Sequence, residues 1–489
     1  LTPPLAAQTV TQSFAGLDFD TAKGADGIFR PPDTILGANG THVLHATNSA
    51  IRLYTTSGTI VTTTNLNAFF GSNISTEKAL FDPRVVYDRL GPNQRFWVVA
   101  LQRNENVQPQ TASIYLAISR AASPTNLDPG SWCTYKIDSV LTEQSDGKKT
   151  WADFPMVGVG SDAFLISNDQ FTFPPEAKYR HAVVRVINKP VATNNAPPLN
   201  CPLLSSFLAL TQELAGTRDT SQMPNQRKGH VQPTVHYTAP SSFPGVSNPA
   251  YMVSAVVPPS STYRVWRVRN TTAGGPIVDS INLTASVYDD EPTAKQPSPS
   301  FLLDINDSRI MQVAATGDRL WAVQTVRCDY IYEGDGSQRR KPCIRVLAIF
   351  VGSSGTTLTA FLQQELTLAS WDSEFDLGYF MPSIAVNGSG QTAVVFLTSG
   401  PTRKLSAAWT VKNLVDAVYA APTLFPFGEG TCKRSSSRAK VGDYVGAQTE
   451  PVGLSSFWLA GERTVCDGGG PECADSVCGW ATQIVRVAP

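Results

Sequence analysis

Phe81-Asp82-Pro83-Arg84-Val85-Val86-Tyr87-Asp88, the turn Gly91-Pro92-Asn93, and the return Arg95-Phe96-Trp97-Val98-Val99-Ala100-Leu101 decide the fold. Two apolar runs flank a Gly/Pro/Asn turn, which is the pattern of a β-hairpin. The same sentence recurs down the chain. Asp33-Thr34-Ile35-Leu36-Gly37 leads to Thr41-His42-Val43-Leu44, and Asp153-Phe154-Pro155-Met156-Val157 leads to Ala163-Phe164-Leu165-Ile166. Further copies begin at Gln232, Arg309, Met381 and Asp443. A repeat spaced by about 50–80 residues and filling the whole length predicts a radial array, since one copy cannot bury its own apolar face.

Each hairpin is followed by a third apolar run, such as Ser113–Ile118 or Arg345–Ile349, and by a weaker fourth, such as Trp132–Ile137. The strand-like opening Thr9–Leu17 precedes the first hairpin, and the last copy ends one strand short at Ala481–Val487. The expectation is therefore an all-β, seven-bladed β-propeller over residues 1–489, one domain, closed by an N-terminal strand that completes the last blade.

Composition agrees. Charged residues are 16% of the 489, while Gly (36) and Pro (35) are plentiful, as many short strands and turns require. A net charge of -1 supplies no field for nucleic acid, and no apolar run approaches the roughly 18 residues of a membrane span. The eight cysteines include no CxxC pair, which favours disulfides in an oxidising compartment. The chain starts at Leu1, as a mature secreted form would. Sequons at Asn39, Asn73, Asn270, Asn282, Asn306 and Asn387 permit glycosylation.

Pro31-Pro32-Asp33-Thr34 with Gly37, FDPRVVYD at 81–88, WADFP at 151–155 and VGDY at 441–444 resemble a group of secreted seven-bladed β-propeller proteins, many without assigned function. The resemblance spans nearly the full chain and implies the architecture. It implies no activity, because propellers host hydrolases, lyases, lectins and scaffolds alike. Sialidases are similar more distantly. Phe29-Arg30-Pro31-Pro32 resembles their opening Phe-Arg-Ile-Pro, whose arginine binds a carboxylate, while their repeated Asp-box is absent here.

In such a fold the first residue of each inner strand lies at the mouth of the central channel. Asp33, Asp82, Asp153 and Asp443 would converge there and form an oxygen site for a calcium ion. The alternative is that each Asp caps its own turn. Arg103, Lys178, Arg180, Arg339, Arg340, Lys341, Arg403, Lys404 and Arg463 would form a basic rim that attracts an anionic glycan. For proton transfer beside a uronate carboxylate, His181 with Tyr179, and His230, are the candidate bases, and Arg30, Arg84 and Arg309 the candidate cations. Asp169, Glu333 and Glu462 are further acidic candidates. The serine-elbow, HExxH and P-loop signatures are absent. Two functions follow from this reading: a secreted lyase or exo-glycosidase on an anionic glycan, or a non-catalytic adhesive or self-assembling scaffold.

The cysteines yield a local expectation. Facing positions at the base of a hairpin would join Cys328 to Cys343 and Cys466 to Cys478. Cys473 then reaches Cys432, and Cys133 pairs with Cys201 by elimination.

Overall fold

A computed structural model describes residues 8–22, 31–72, 78–90, 94–189, 199–218, 230–270, 275–291, 293–297, 302–331, 336–370, 376–425, 438–466 and 478–489. The described residues are almost entirely β. Their strands follow one another in chain order as four-stranded antiparallel units, of which the third to fifth are joined into one thirteen-stranded sheet by parallel pairing of their first strands. The first holds Ile35–Ala38, His42–Thr47, Ala50–Thr55 and Ile60–Asn65; the second holds Phe81–Asp88, Arg95–Asn104, Thr111–Ser119 and Trp132–Asp138. Units three to six open with Lys149–Val159, Val231–Thr238, Ile310–Thr316 and Gly378–Val386. The seventh runs Gly446–Thr449, Phe457–Cys466 and Cys478–Ala488, and takes its fourth strand from Thr9–Asp18. That strand pairs antiparallel from Thr9 opposite Ala488 to Asp18 opposite Ala481.

Burial explains why the first three strands of a unit read as apolar and the fourth as polar. Phe81–Asp88, Gly378–Val386 and Thr392–Gly400 are buried along almost their whole length, because neighbouring units cover both faces. The outer strand Ile60–Asn65 is largely solvated, and after Ile60 and Val61 it continues in Thr and Asn.

First strands of successive units touch in chain order, and the seventh touches the first. Two glycines permit close approaches where units one, two and seven meet. A Cβ on Gly37 would lie 3.1 Å from the backbone of Tyr87 in the next unit, and one on Gly446 would lie 3.0 Å from the Leu36 nitrogen. Gln448 joins the same three units, accepting from the Ala38 and Tyr87 amides and donating to the Ala38 carbonyl. The space left between the first strands is about 20 Å³, lined by Arg84, Val157, Gln232, Gln312 and Gln448 among others. It has room for about one water.

Two disulfides are present, Cys133–Cys201 and Cys328–Cys343. The second pair is not directly facing as expected. Cys343 lies opposite Val326 and Cys328 opposite Lys341, so the bond crosses the hairpin diagonally with Cα atoms 5.9 Å apart. Cys466 and Cys478 are direct register partners in the seventh unit. Cys432 and Cys473 lie outside the described residues.

Candidate functional site at the start of the inner strands

Three residues that precede first strands meet there. Asp33, Asp82 and Asp443 each offer a carboxylate oxygen, all within 4.8 Å of one another, and all three side chains are buried. They come from units one, two and seven. Asp33 and Asp82 have φ of 48° and 51°, a left-handed conformation that Asp tolerates better than most residues. Asn48 links the first two: its amide donates to the Asp33 carboxylate at 2.5 Å and its carbonyl accepts the Asp82 amide at 2.8 Å. The Asp443 backbone amide donates to Asp33 at 2.5 Å, and the Asp443 side chain accepts from Asn306 at 2.9 Å and from the Lys440 ammonium at 2.7 Å. Three of these bonds, Asp82 to Asn48, Asp443 to Asp33 and Asn306 to Asp443, run between units, whereas an Asx-turn would keep each carboxylate on its own loop.

Asp153 does not join this group. The residue equivalent to Asp82 in unit three is Phe154, which has φ of 51° and precedes Pro155 as Asp82 precedes Pro83. Met381 before Pro382 repeats the conformation in unit six, with φ of 50°. Neighbouring residues on a strand face opposite ways, so a shift of one turns Asp153 away and aims a phenyl ring inward. Asp153 still lies close enough to raise the pKa of Asp82.

The cations expected here are partly in place. The Arg84 guanidinium stacks 3.4 Å from the Tyr444 ring centre and 5.5 Å from Phe154, and its Nε donates to the Pro155 carbonyl at 2.7 Å. Arg309 lies 4.4 Å from the Phe154 ring and forms a two-pronged pair with Asp307, both bonds 2.7 Å. Arg84 Nη2 and Arg309 Nη1 are buried with no hydrogen-bond partner. Arg30 lies outside the described residues, as does Glu333.

Neither candidate base is free. His230 is buried, with Nδ1 3.1 Å from Asp169 and Nε2 2.9 Å from the Met156 sulfur. His181 belongs to a separate network, 3.2 Å from Glu143, which also holds Arg218. Burial lowers the pKa of both histidines. Tyr179 is buried and its hydroxyl donates to the Thr217 carbonyl at 2.9 Å. His45 and His236 are core residues, held down at about 3 by burial, and His42 is half-buried. The expected basic rim is largely neutralised. Arg103 pairs with Glu105, Arg180 with Asp146, and Lys178 with Glu176.

Electrostatics divide the carboxyls. Burial, and then the charge of Asp443, push Asp33 up to about 8. Burial raises Asp82 well above the usual carboxylate range, with Asp153 and Asp33 adding to it. Asp443 is the exception, because Lys440 outweighs its burial and holds it low. Glu462 is a fourth member. It is 2% exposed, both its oxygens lack a partner, and a Cβ on Gly442 would lie 3.0 Å from one of them. Burial, and then Asp33 and Asp443, raise its pKa well above the usual range. A buried unpaired carboxylate is costly, so Glu462 needs a proton or a cation.

No family model matches the sequence, and no curated protein matches it. Solved structures give distant likenesses. A Dyadobacter fermentans protein of unknown function is 8% identical, covering 99% of this chain and 100% of that one at TM-score 0.39. A Trypanosoma rangeli sialidase in complex with the inhibitor DANA is 8% identical, covering 88% of this chain and 56% of its own at TM-score 0.36. An exo-β-1,3-galactanase from Phanerochaete chrysosporium is 9% identical, covering 99% and 100% at TM-score 0.27. At such scores none of these likenesses bears on what the site does.

Proposed function

We propose that the chain is a secreted, single-domain, seven-bladed β-propeller that acts on an anionic glycan at the mouth of its central channel, with a calcium ion held by Asp33, Asp82 and Asp443. The observation that carries this reading is the convergence of three buried carboxylates from three units, with Lys440 the cation that forms an ion pair with them among the described residues. Oxygen ligands of this kind suit a hard cation. Glu462 adds two further oxygens at the edge of the group.

Hydrolysis fits better than elimination. Elimination needs a free base, and His230 and His181 are both buried and held by carboxylates. Hydrolysis needs one protonated and one ionised carboxyl, and Glu462 and Asp443 are pushed in those opposite directions. Glu462 would be the acid and Asp443 the ionised partner. The test is incubation with acidic polysaccharides, with calcium or with a chelator. New reducing ends without unsaturated uronate, lost in Glu462→Gln and on chelation, are expected. Unsaturated uronate as the product would overturn the hydrolytic assignment.

The scaffold reading is favoured by one specific observation, the nearly filled channel of about 20 Å³. It predicts calcium binding with no turnover on any glycan, so the same assay separates the two.

A further inference from the structure

A cleft of about 340 Å³ opens between units five and six. It lies at the opposite end of the strands from the carboxylates, where first strands end and second strands begin. Arg319 opens the second strand of unit five just after Gly317-Asp318, and Thr392 opens that of unit six. The volume suits one or two sugar rings.

The lining is chemically one-sided. Its charged residues are Arg319 and Lys412, with no carboxylate among them. Arg319 Nε is buried without a partner, and its guanidinium carbon lies 5.8 Å from the Trp321 ring centre. Lys412 is buried and donates to the Asn413 carbonyl at 3.0 Å, which leaves donors on its ammonium for a ligand. Asp416 acts electrostatically on Lys412 but is engaged by the Asn413 backbone and side-chain amides and does not line the cleft. Around these cations stand the amides of Gln363 and Gln364, the Tyr419 hydroxyl and the Trp321 ring. Amides and a hydroxyl match sugar hydroxyls, and an indole provides an apolar wall for a ring face.

We propose that this cleft binds an acidic sugar unit, its carboxylate between Arg319 and Lys412 and its hydroxyls on Gln363 and Gln364. Two cations with no acid in the lining favour an anion, because a neutral sugar would leave both charges uncompensated in a half-enclosed space. A second cleft of similar size lacks this bias. This one, of about 330 Å³ and bounded by Lys295, Arg339, Arg340 and Lys341, also holds Glu291 and Asp376, which pair with Arg340 and Lys295.

The site is independent of the calcium reading, and the test keeps the two apart. Saturation-transfer NMR on the full chain is run with glucuronate, glucose and acetate, before and after chelation. Glucuronate is expected to bind, with glucose and acetate at least about tenfold weaker, and chelation is expected to leave it unchanged. Lys412→Met should weaken glucuronate by a similar factor. Gln363 is solvent-exposed, so Gln363→Ala will fold whatever befalls the lysine variant, and it should weaken glucuronate but not acetate. The proposal is overturned if glucuronate gives no transfer, if acetate or glucose binds equally well, or if Gln363→Ala binds undiminished.

Discussion

Removing Asp33 should weaken the fall of stability with rising pH. Asp33 titrates at about 8 in the folded chain against 3.8 when exposed. Between pH 6.5 and 8 the unfolded side chain is ionised, while the folded one still holds its proton. The folded state therefore binds more protons, and stability falls as pH rises at up to about 1.4 kcal/mol per unit. Titration through about 8 yields a loss of about 1.6 kcal/mol across that window from Asp33 alone. The lowered histidines act oppositely, each still gaining about 0.4 kcal/mol above pH 6.5, but they are common to wild type and Asp33 variant and cancel in the difference between the two. With about 2.1 cal/mol/K of unfolding entropy per residue, 489 residues give about 1 kcal/mol/K, so Tm should drop by about 1.6 °C. Asp33→Asn, measured by scanning calorimetry of chelated protein, should remove the Asp33 part of the pH dependence, while Asp82 and Glu462, also raised, keep theirs. Excess calcium should remove the Asp33 part in the wild type, because a bound cation keeps the carboxylates ionised when folded. A Tm difference between wild type and Asp33→Asn that stays constant across the window would refute the electrostatic account of this cluster.

Other expectations are simpler to test. Deleting residues 1–18 strips the outer strand from unit seven and the backbone bond from Leu17 to His45, so it should abolish cooperative unfolding or leave an aggregating product by light scattering. Cys328→Ser opens a disulfide spanning 15 residues and should cost about 3 kcal/mol in a denaturant titration if chain entropy dominates. Expression through a glycosylating pathway should place sugar on exposed Asn282 and none on Asn39 or Asn387, which are 3% and 1% exposed; peptide mass mapping reads this directly.

The repeat and its strand order were legible because inner strands are covered on both faces and leave unbroken apolar runs, as in Val85–Tyr87 and Phe96–Leu101. The site was legible only in part. Asp33, Asp82 and Asp443 could be aligned by eye, but Asp153 sits one residue too early. The proline after Asp82, Phe154 and Met381 is the better register mark, since all three share a φ near 50°. Asn48, which ties Asp33 to Asp82, carries no pattern in the sequence, because its role depends on two loops that meet only after folding. The histidines failed as candidates for a similar reason. Their position beside inner strands was readable, but the partners that occupy them, Asp169 and Glu143, come from distant segments.

The pairing of Thr9–Asp18 with Cys478–Ala488 has a consequence for how the molecule is made. Leu17 and its partner Thr482 are 465 residues apart in the chain, so the strand is made long before the segment it pairs with. At roughly 5–20 residues per second, about 25–100 s separate the two. Throughout that interval the strand and the flank of unit one are available to any other nascent chain. Permuting the termini so that Thr9–Asp18 follows Ala488 through a short linker would make this long-range closure a local hairpin, and the permuted chain should be recovered in higher yield from dilute refolding than the parent.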